Sequence, residues 1–399
     1  MPKKLAVVLG IRPDVIRASL MLRELKARLG DGLHFIWSGQ HYSDNMKDVF
    51  FRQLNVPEPD VTLELDTSSD TNLIGSLIEK LGEELRSSKP EAVVFLGDTN
   101  TVVASLAVAS LDIPIIHIEG CMRSYDWRMP EEKFRTTIDH LADVIYAYLP
   151  EYKQQGILEG LDPDRIIVTG NPIVDVLEQY FISGTVRMGE SEVQSYLASL
   201  GVTASKFWTM TCHRRENVES VQALTSIMDL AAAATGPVIF PAGYRTQSQL
   251  KALSVAVPEN VILVDPIGYA ELMELIVRSQ SVITDSGTIV EEAAVLGVPS
   301  IQMRTSTERP QVYDCGGSIK FDPHATHSHN ELDLVIRSGQ QRLGGGWSHT
   351  LGDGKASERI VADLIARFDS NDWRGHKPNE DMRPIHRNFG YGLNDLGRP

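Results

Sequence analysis

A chain of 399 residues exceeds one ordinary domain, and 42% hydrophobic with 23% charged residues describes a globular protein with enough apolar chain for two cores. A formal net charge of −15 argues against a nucleic-acid or anionic-membrane surface, while leaving room for a small anionic ligand held by local arginines. Three widely spaced cysteines (Cys121, Cys212, Cys315), with no CxxC or Cys/His pairing, speak against a disulfide framework and against a metal site.

The first apolar run, "KLAVVLG" (4–10), is too short for a signal peptide and reads as a buried strand. No run is long enough to span a membrane, so a cytoplasmic location is expected. Helix-periodic "VIRASLMLRELKARLG" follows the first strand. The runs at 33–39, 92–98, 113–119 and 144–150 continue the alternation of strand and amphipathic helix. A second series begins after "GNPIVDVL" (170–177), with strands expected at 207–212, 236–241, 260–266, 280–285 and 298–303.

Continuous apolar strands alternating with helices predict parallel sheets covered on both faces. The expected fold class is therefore α/β, with two Rossmann-like domains facing a cleft: residues 1–169 and residues 170–370. A closing helix is expected over 356–368, packed back on the first domain, with a polar tail over 371–399.

Ligands of open α/β sheets bind beyond the carboxyl ends of the strands, and the unusual residues gather there. "LGIRPDVIRA" places Arg12 at a helix start, where free amides favour an anion, and the absence of GxGxxG leaves a dinucleotide cofactor unsupported. Asp98 of "GDTNT" and Glu119 of "HIEG" end adjacent strands, and Glu131 opens the next helix beside Glu132. Carboxylates converging on one sheet edge suit general acid/base work; an N-cap role for Asp98 and a solvated Glu132 are the plain alternatives. His213 of "HRRENV" and Arg304 and Arg309 of "RTSTERP" mark possible anion contacts, with Glu308 a possible structural partner of either arginine. In "TDSGTIVEEA", Ser286, Gly287 and Thr288 present amides and hydroxyls at a helix start.

Taken in order, "GIRPDVIRA", "SGQHYSDNM", "GDTNT", "HIEGCMRS…MPEEKFR", "GNPIVDVL", "HRRENV", "TDSGTIVEEA" and "TERP" resemble the non-hydrolysing UDP-N-acetylglucosamine 2-epimerases across roughly residues 4 to 370. The resemblance implies a two-domain glycosyltransferase-B-like fold. It also implies inversion at C2 of a UDP-linked N-acetylhexosamine by elimination of UDP and re-addition, with no cofactor or metal and often a homodimer. Carried over by motif, Asp98, Glu119 and Glu131 are the acid/base candidates, and Arg12, His213 and Arg309 hold the diphosphate. Arg17 and Arg304 are further substrate contacts. Ser286, Gly287 and Thr288 cap the diphosphate, and Glu292 takes the ribose hydroxyls, with Glu291 only supporting.

Two departures from the family pattern stand out. Asp14 and Arg17 replace a glutamate and a lysine, and "AGYRT" (242–246) replaces a His-Pro loop, with Arg245 a substitute contact. The "SYDWRMPEE" loop looks closer to relatives that act on modified UDP-sugars. A hydrolysing 2-epimerase, a glycosyltransferase of the same fold and an inactive nucleotide-sugar sensor are the alternative functions.

Overall fold

A computed structural model describes residues 3–39, 54–184, 187–202, 206–341 and 347–373. Most of the "SGQHYSDNM" motif (40–46) and the tail from 374 onward lie outside these residues.

Among the described residues one sheet has seven strands in the order β3-β2-β1-β4-β5-β6-β7. These are β1 (Leu5–Leu9), β2 (Leu33–Trp37), β3 (Val61–Thr62), β4 (Ala92–Leu96), β5 (Ile115–Ile118), β6 (Val144–Ala147) and β7 (Ile166–Val168). The other sheet has six, ordered β10-β9-β8-β11-β12-β13. They are β8 (Trp208–Thr211), β9 (Val238–Pro241), β10 (Val261–Val264), β11 (Val282–Thr284), β12 (Ser300–Met303) and β13 (Ser318–Phe321). Every pairing is parallel.

Both sheets are doubly wound. Strand order reverses between β1 and β4 in the first and between β8 and β11 in the second. The central strands have no exposed face; β1, β2 and β4 are buried at every position, which is why they read as unbroken apolar runs. Burial of these side chains, each contributing roughly 1.5–3 kcal/mol, is the dominant stabilising term.

Three strands escape the apolar-run criterion: β3, β7 and β13. All lie at sheet edges and include exposed positions; β7 and β13 mix these with buried ones, and β3 has none buried.

The helix Arg12–Leu29 starts with Pro13 in its first turn and buries Val15, Ile16, Ala18, Met21, Leu22 and Leu25. Against it pack the helices Pro172–Leu177 and Ala356–Ser370. Tyr146 of β6 donates to Asp363 at 2.7 Å, so the closing helix is fastened to the first sheet. Packing continues past 371, where the tail was expected to begin. Asn371 adopts a left-handed cap, and Trp373, 3% exposed, sits edge-on to Phe368. No helix of the described residues is long and apolar enough to cross a membrane.

Candidate active site

The two switch points supply most of the site. Gly10 follows β1 and Asp98 follows β4; His213 follows β8 and Asp285–Ser286 follow β11. Each turn breaks the sheet's hydrogen-bonding pattern and leaves polar groups facing the gap between the sheets.

Glu119, directly after β5, is buried and has a φ of 76°. Its carboxylate pairs with Arg17, accepts from Arg309 Nη2 at 2.8 Å and accepts from Tyr148 Oη at 3.2 Å. Arg17 is itself buried, and its guanidinium also donates to Asp14 at 2.8 Å and to the Pro13 carbonyl at 3.3 Å. It thus stands behind Glu119 as a support. Burial raises the Asp14 carboxyl to about 6 against the pull of Arg17.

Asp98, partly exposed, pairs with Arg135 of the helix Pro130–Leu141. Arg135 is 2% exposed, and its Nε and Nη1 have no hydrogen-bond partner. Burial, reinforced by the charges of Arg309, Arg304 and Arg214 and opposed by Glu308, lowers it to about 10. These buried donors, with Nε 3.7 Å from Glu132 Oε2, belong to a residue that sequence reading did not single out. The signal was present in "MPEEKFR", where Arg135 lies four residues, about one helical turn, after Glu131. Glu131 is half-buried at the start of that helix. Glu132 is fully buried rather than solvated, accepting from the Ser124 and Tyr125 amides at 3.1 and 2.8 Å and from the Ser124 hydroxyl at 2.9 Å.

On the second sheet's side, Arg304 donates to Glu308 at 2.9 Å, and Arg309 pairs with Glu308 and, at 2.9 Å, with Glu291. Although burial pushes Glu308 up, Arg304, Arg309, Arg135 and Arg214 together hold it well below the usual carboxylate range. Glu291 also accepts from Asn171 at 2.9 Å. Glu292 points elsewhere and accepts from Tyr269 Oη at 2.8 Å. Burial and the neighbouring Glu291 charge raise it to about 7, opposed by that hydrogen bond and by Arg12.

Ser286 caps the helix Gly287–Val295, its hydroxyl accepting from the Ile289 amide at 3.3 Å. Gly287 admits close approach: a Cβ there would lie 2.5 Å from Arg309 Nη1 and 2.9 Å from Glu308 Oε1. Thr288 follows, half-buried. His213 has its ring 59% exposed, with Nδ1 3.1 Å from Asp285. Asp285, fully buried, accepts from the amides of His213 at 3.0 Å and Arg214 at 2.9 Å and from Asn217 at 3.2 Å. Burial alone would raise its carboxyl, but His213 and these donors hold it low. Asp285 lies inside the "TDSGTIVEEA" motif, where the sequence reading gave it no role. Arg245 is exposed and pairs with Glu219.

The two halves meet through polar and charged side chains as well as through a shared apolar cluster that includes Tyr269, Met273 and Ile289. Ser306 donates to Asp126 at 3.1 Å, Arg128 to Thr305 at 3.4 Å, and Tyr152 to Gln311 at 2.7 Å, while Arg215 reaches Asp70 at 3.1 Å. A cavity of about 770 Å³ lined by Leu20, Arg23, Asp175 and Ser357 includes none of the predicted site residues. Among the described residues no group of three or more His, Cys, Asp or Glu is placed to hold a metal ion.

The family model described as UDP-N-acetylglucosamine 2-epimerase matches residues 23–365. The UDP-N-acetylglucosamine 2-epimerase of Methanocaldococcus jannaschii is 32% identical, covering 90% of this chain and 98% of the relative. The UDP-2,3-diacetamido-2,3-dideoxy-D-glucuronate 2-epimerase of Pseudomonas aeruginosa is 28% identical, covering 92% of this chain and all of the relative. The crystal structure of the Methanocaldococcus jannaschii enzyme with UDP-GlcNAc and UDP superposes with a TM-score of 0.82 at 31% identity, covering 91% of this chain and 99% of that one. With sheet order, strand-end chemistry and full-length similarity in agreement, the chain belongs to the UDP-N-acetylglucosamine 2-epimerase family.

Proposed function

We propose that the protein inverts C2 of a UDP-linked N-acetylhexosamine without net hydrolysis, UDP-GlcNAc or a modified UDP-sugar being the substrate. The observation that carries the reading is the pairing of Glu119 with Arg309. It brings a buried carboxylate, read here as a proton-transfer group, against the arginine cluster, read here as the diphosphate site.

In the forward direction a carboxylate removes the C2 proton while the C1–O bond breaks toward UDP, leaving a C1=C2 double bond in a 2-acetamidoglucal. A second group then delivers a proton to the opposite face of C2, and a UDP phosphate oxygen re-forms the bond to C1. Asp98, Glu119 and Glu131 are the acid/base set. Arg12, His213, Arg304 and Arg309 stabilise the charge that develops on the departing diphosphate. Ser286, Gly287 and Thr288 cap that diphosphate at a helix N-terminus, and Glu292 takes the ribose hydroxyls. In this scheme residues 1–169 carry the acid/base groups and residues 170–370 bind the nucleotide. Arg17 acts by holding Glu119, and Arg135 joins the anion contacts.

Proton NMR of candidate UDP-sugars in deuterated water tests the proposal. The expected result is interconversion of the gluco and manno isomers with deuterium at C2 and little free UDP. Accumulating free UDP and sugar would favour the hydrolysing reaction, and no C2 exchange with any UDP-hexosamine would defeat both.

A further inference from the structure

We infer that His117 and Asp139 form a buried positioning couple that sets the two strand-end turns carrying Asp98 and Glu119. The inference rests on the acid/base roles proposed above. Both side chains are 0% exposed. His117 lies in β5, two residues before Glu119, and Asp139 lies in the last turn of the helix Pro130–Leu141.

His117 Nδ1 is 2.7 Å from Asp139 Oδ1, and Nε2 is 2.8 Å from the Gly97 carbonyl. Each ring nitrogen therefore makes one close polar contact, to a carboxylate on one side and a backbone carbonyl on the other. The second oxygen of Asp139 accepts from the Cys121 amide at 3.0 Å and from Arg123 Nη1 at 2.6 Å. One couple therefore reaches the residue before Asp98 and the residue two beyond Glu119.

Both turns need such fastening. Gly97 has a φ of 85°, Glu119 of 76° and Cys121 of 65°. Side-chain-bearing residues persist in the left-handed region only where surrounding bonds over-determine them. Gly120 lets the carboxylate come close, since a Cβ there would lie 2.9 Å from Asp139 Oδ1. Neither His117 nor Asp139 reaches the cleft, so the couple acts by placing Asp98 and Glu119 and takes no part in proton transfer. Misplacing a reacting group by about 1 Å costs on the order of 10²-fold in rate.

The two arms of the imidazole can be tested separately. An asparagine amide nitrogen sits near the Nδ1 position and a glutamine amide nitrogen near the Nε2 position. His117→Asn thus keeps the Asp139 arm and loses the Gly97 arm, whereas His117→Gln does the reverse. Expected for His117→Asn is a fall in kcat of about 10²-fold, with KM and UDP affinity within about threefold of wild type. His117→Gln should stay within about tenfold of wild-type kcat. Epimerisation is followed by NMR, UDP affinity by calorimetry and folding by thermal denaturation.

Equal kcat in the two variants, or a loss of UDP affinity parallel to the loss of kcat, would overturn the inference. If His117→Asn does not fold, Asp139→Asn is read in the same way, with a kcat loss at unchanged UDP affinity expected. Failure of both to fold would make the couple a core element only and overturn the positioning role. An inactive wild type would instead defeat the proposed function, while an active wild type with unaltered variants would defeat this inference alone.

Discussion

Arg309 Nη2 lies 2.8 Å from Glu119 Oε1 and so joins the carboxylate beyond β5 to the loop beyond β12. The same guanidinium meets Glu291 at 2.9 Å and also pairs with Glu308. Although burial alone would lower it, Glu291 and Glu308 hold Arg309 firmly protonated. One planar cation thus serves three carboxylates, a task for which a fork of five donors is suited and a point charge is not.

Arg309→Lys is accordingly expected to retain the charge and lose the bridge. UDP affinity should fall by about tenfold and kcat by on the order of 10²-fold. Calorimetry with UDP and the NMR epimerisation assay would measure both. Wild-type kinetics in this variant would remove Arg309 from the mechanism.

Glu308 is the resident counter-anion of four buried or half-buried arginines, Arg135, Arg214, Arg304 and Arg309. In the proposed complex a diphosphate would compete with it for Arg304 and Arg309. Glu308→Gln should therefore tighten UDP binding by about tenfold, equivalent to ~1.4 kcal/mol. Titration at fixed ionic strength is the check, and weaker binding would mean that Glu308 organises the arginines more than it competes.

Glu292 links site chemistry to stability. Burial and the Glu291 charge raise its carboxyl from 4.5 to about 7. Between these values the folded protein keeps a proton that the unfolded chain has released, so stability falls as pH rises across the window. Glu292→Gln should remove its share of that decline, leaving the part due to Asp14 below about pH 6, and stabilise the unliganded protein by about 1–3 kcal/mol near pH 8, while weakening UDP binding. Thermal denaturation at about pH 5 and about pH 8 reads the first effect, and calorimetry reads the second. An unchanged pH profile would show that Glu292 ionises normally in the fold.

Asp98→Asn and Glu131→Gln separate chemistry from binding. Each should reduce deuterium incorporation at C2 by at least about 10²-fold and leave UDP affinity within about threefold. Proton NMR in deuterated water with calorimetry on the same samples decides the matter. A variant that still exchanges C2 at the wild-type rate would strike that carboxylate from the acid/base set.

Legibility in the sequence followed burial. The central strands appear as apolar runs because a parallel sheet covered on both faces gives its strands no polar side. The edge strands β3, β7 and β13 were missed because they are short and carry incompletely buried positions that interrupt the run. Site residues stood out where a polar group ended an apolar strand, as with Asp98 and Glu119. Residues that meet the strand ends from elsewhere were harder to read: Arg135 in mid-helix, Asp285 beneath His213, and His117 inside an otherwise apolar strand.

The sequence by itself determined the fold class and the strand-end groups, because hydrophobic period and turn chemistry are local properties of the chain; the switch points needed the strand order of the folded sheets. It also placed Glu291 and Glu292 about 100° apart on one helix. Which cation each carboxylate meets was decided only by tertiary structure. Arg17 reaches Glu119 from the helix that follows β1, Arg309 reaches it from the loop beyond β12, and Glu132 turns inward to hold the Ser124–Tyr125 backbone. Those pairings join residues up to 190 positions apart. Sequence spacing does not encode them; they arise from the packing of two sheets, whose desolvated gap makes each buried charge seek a partner.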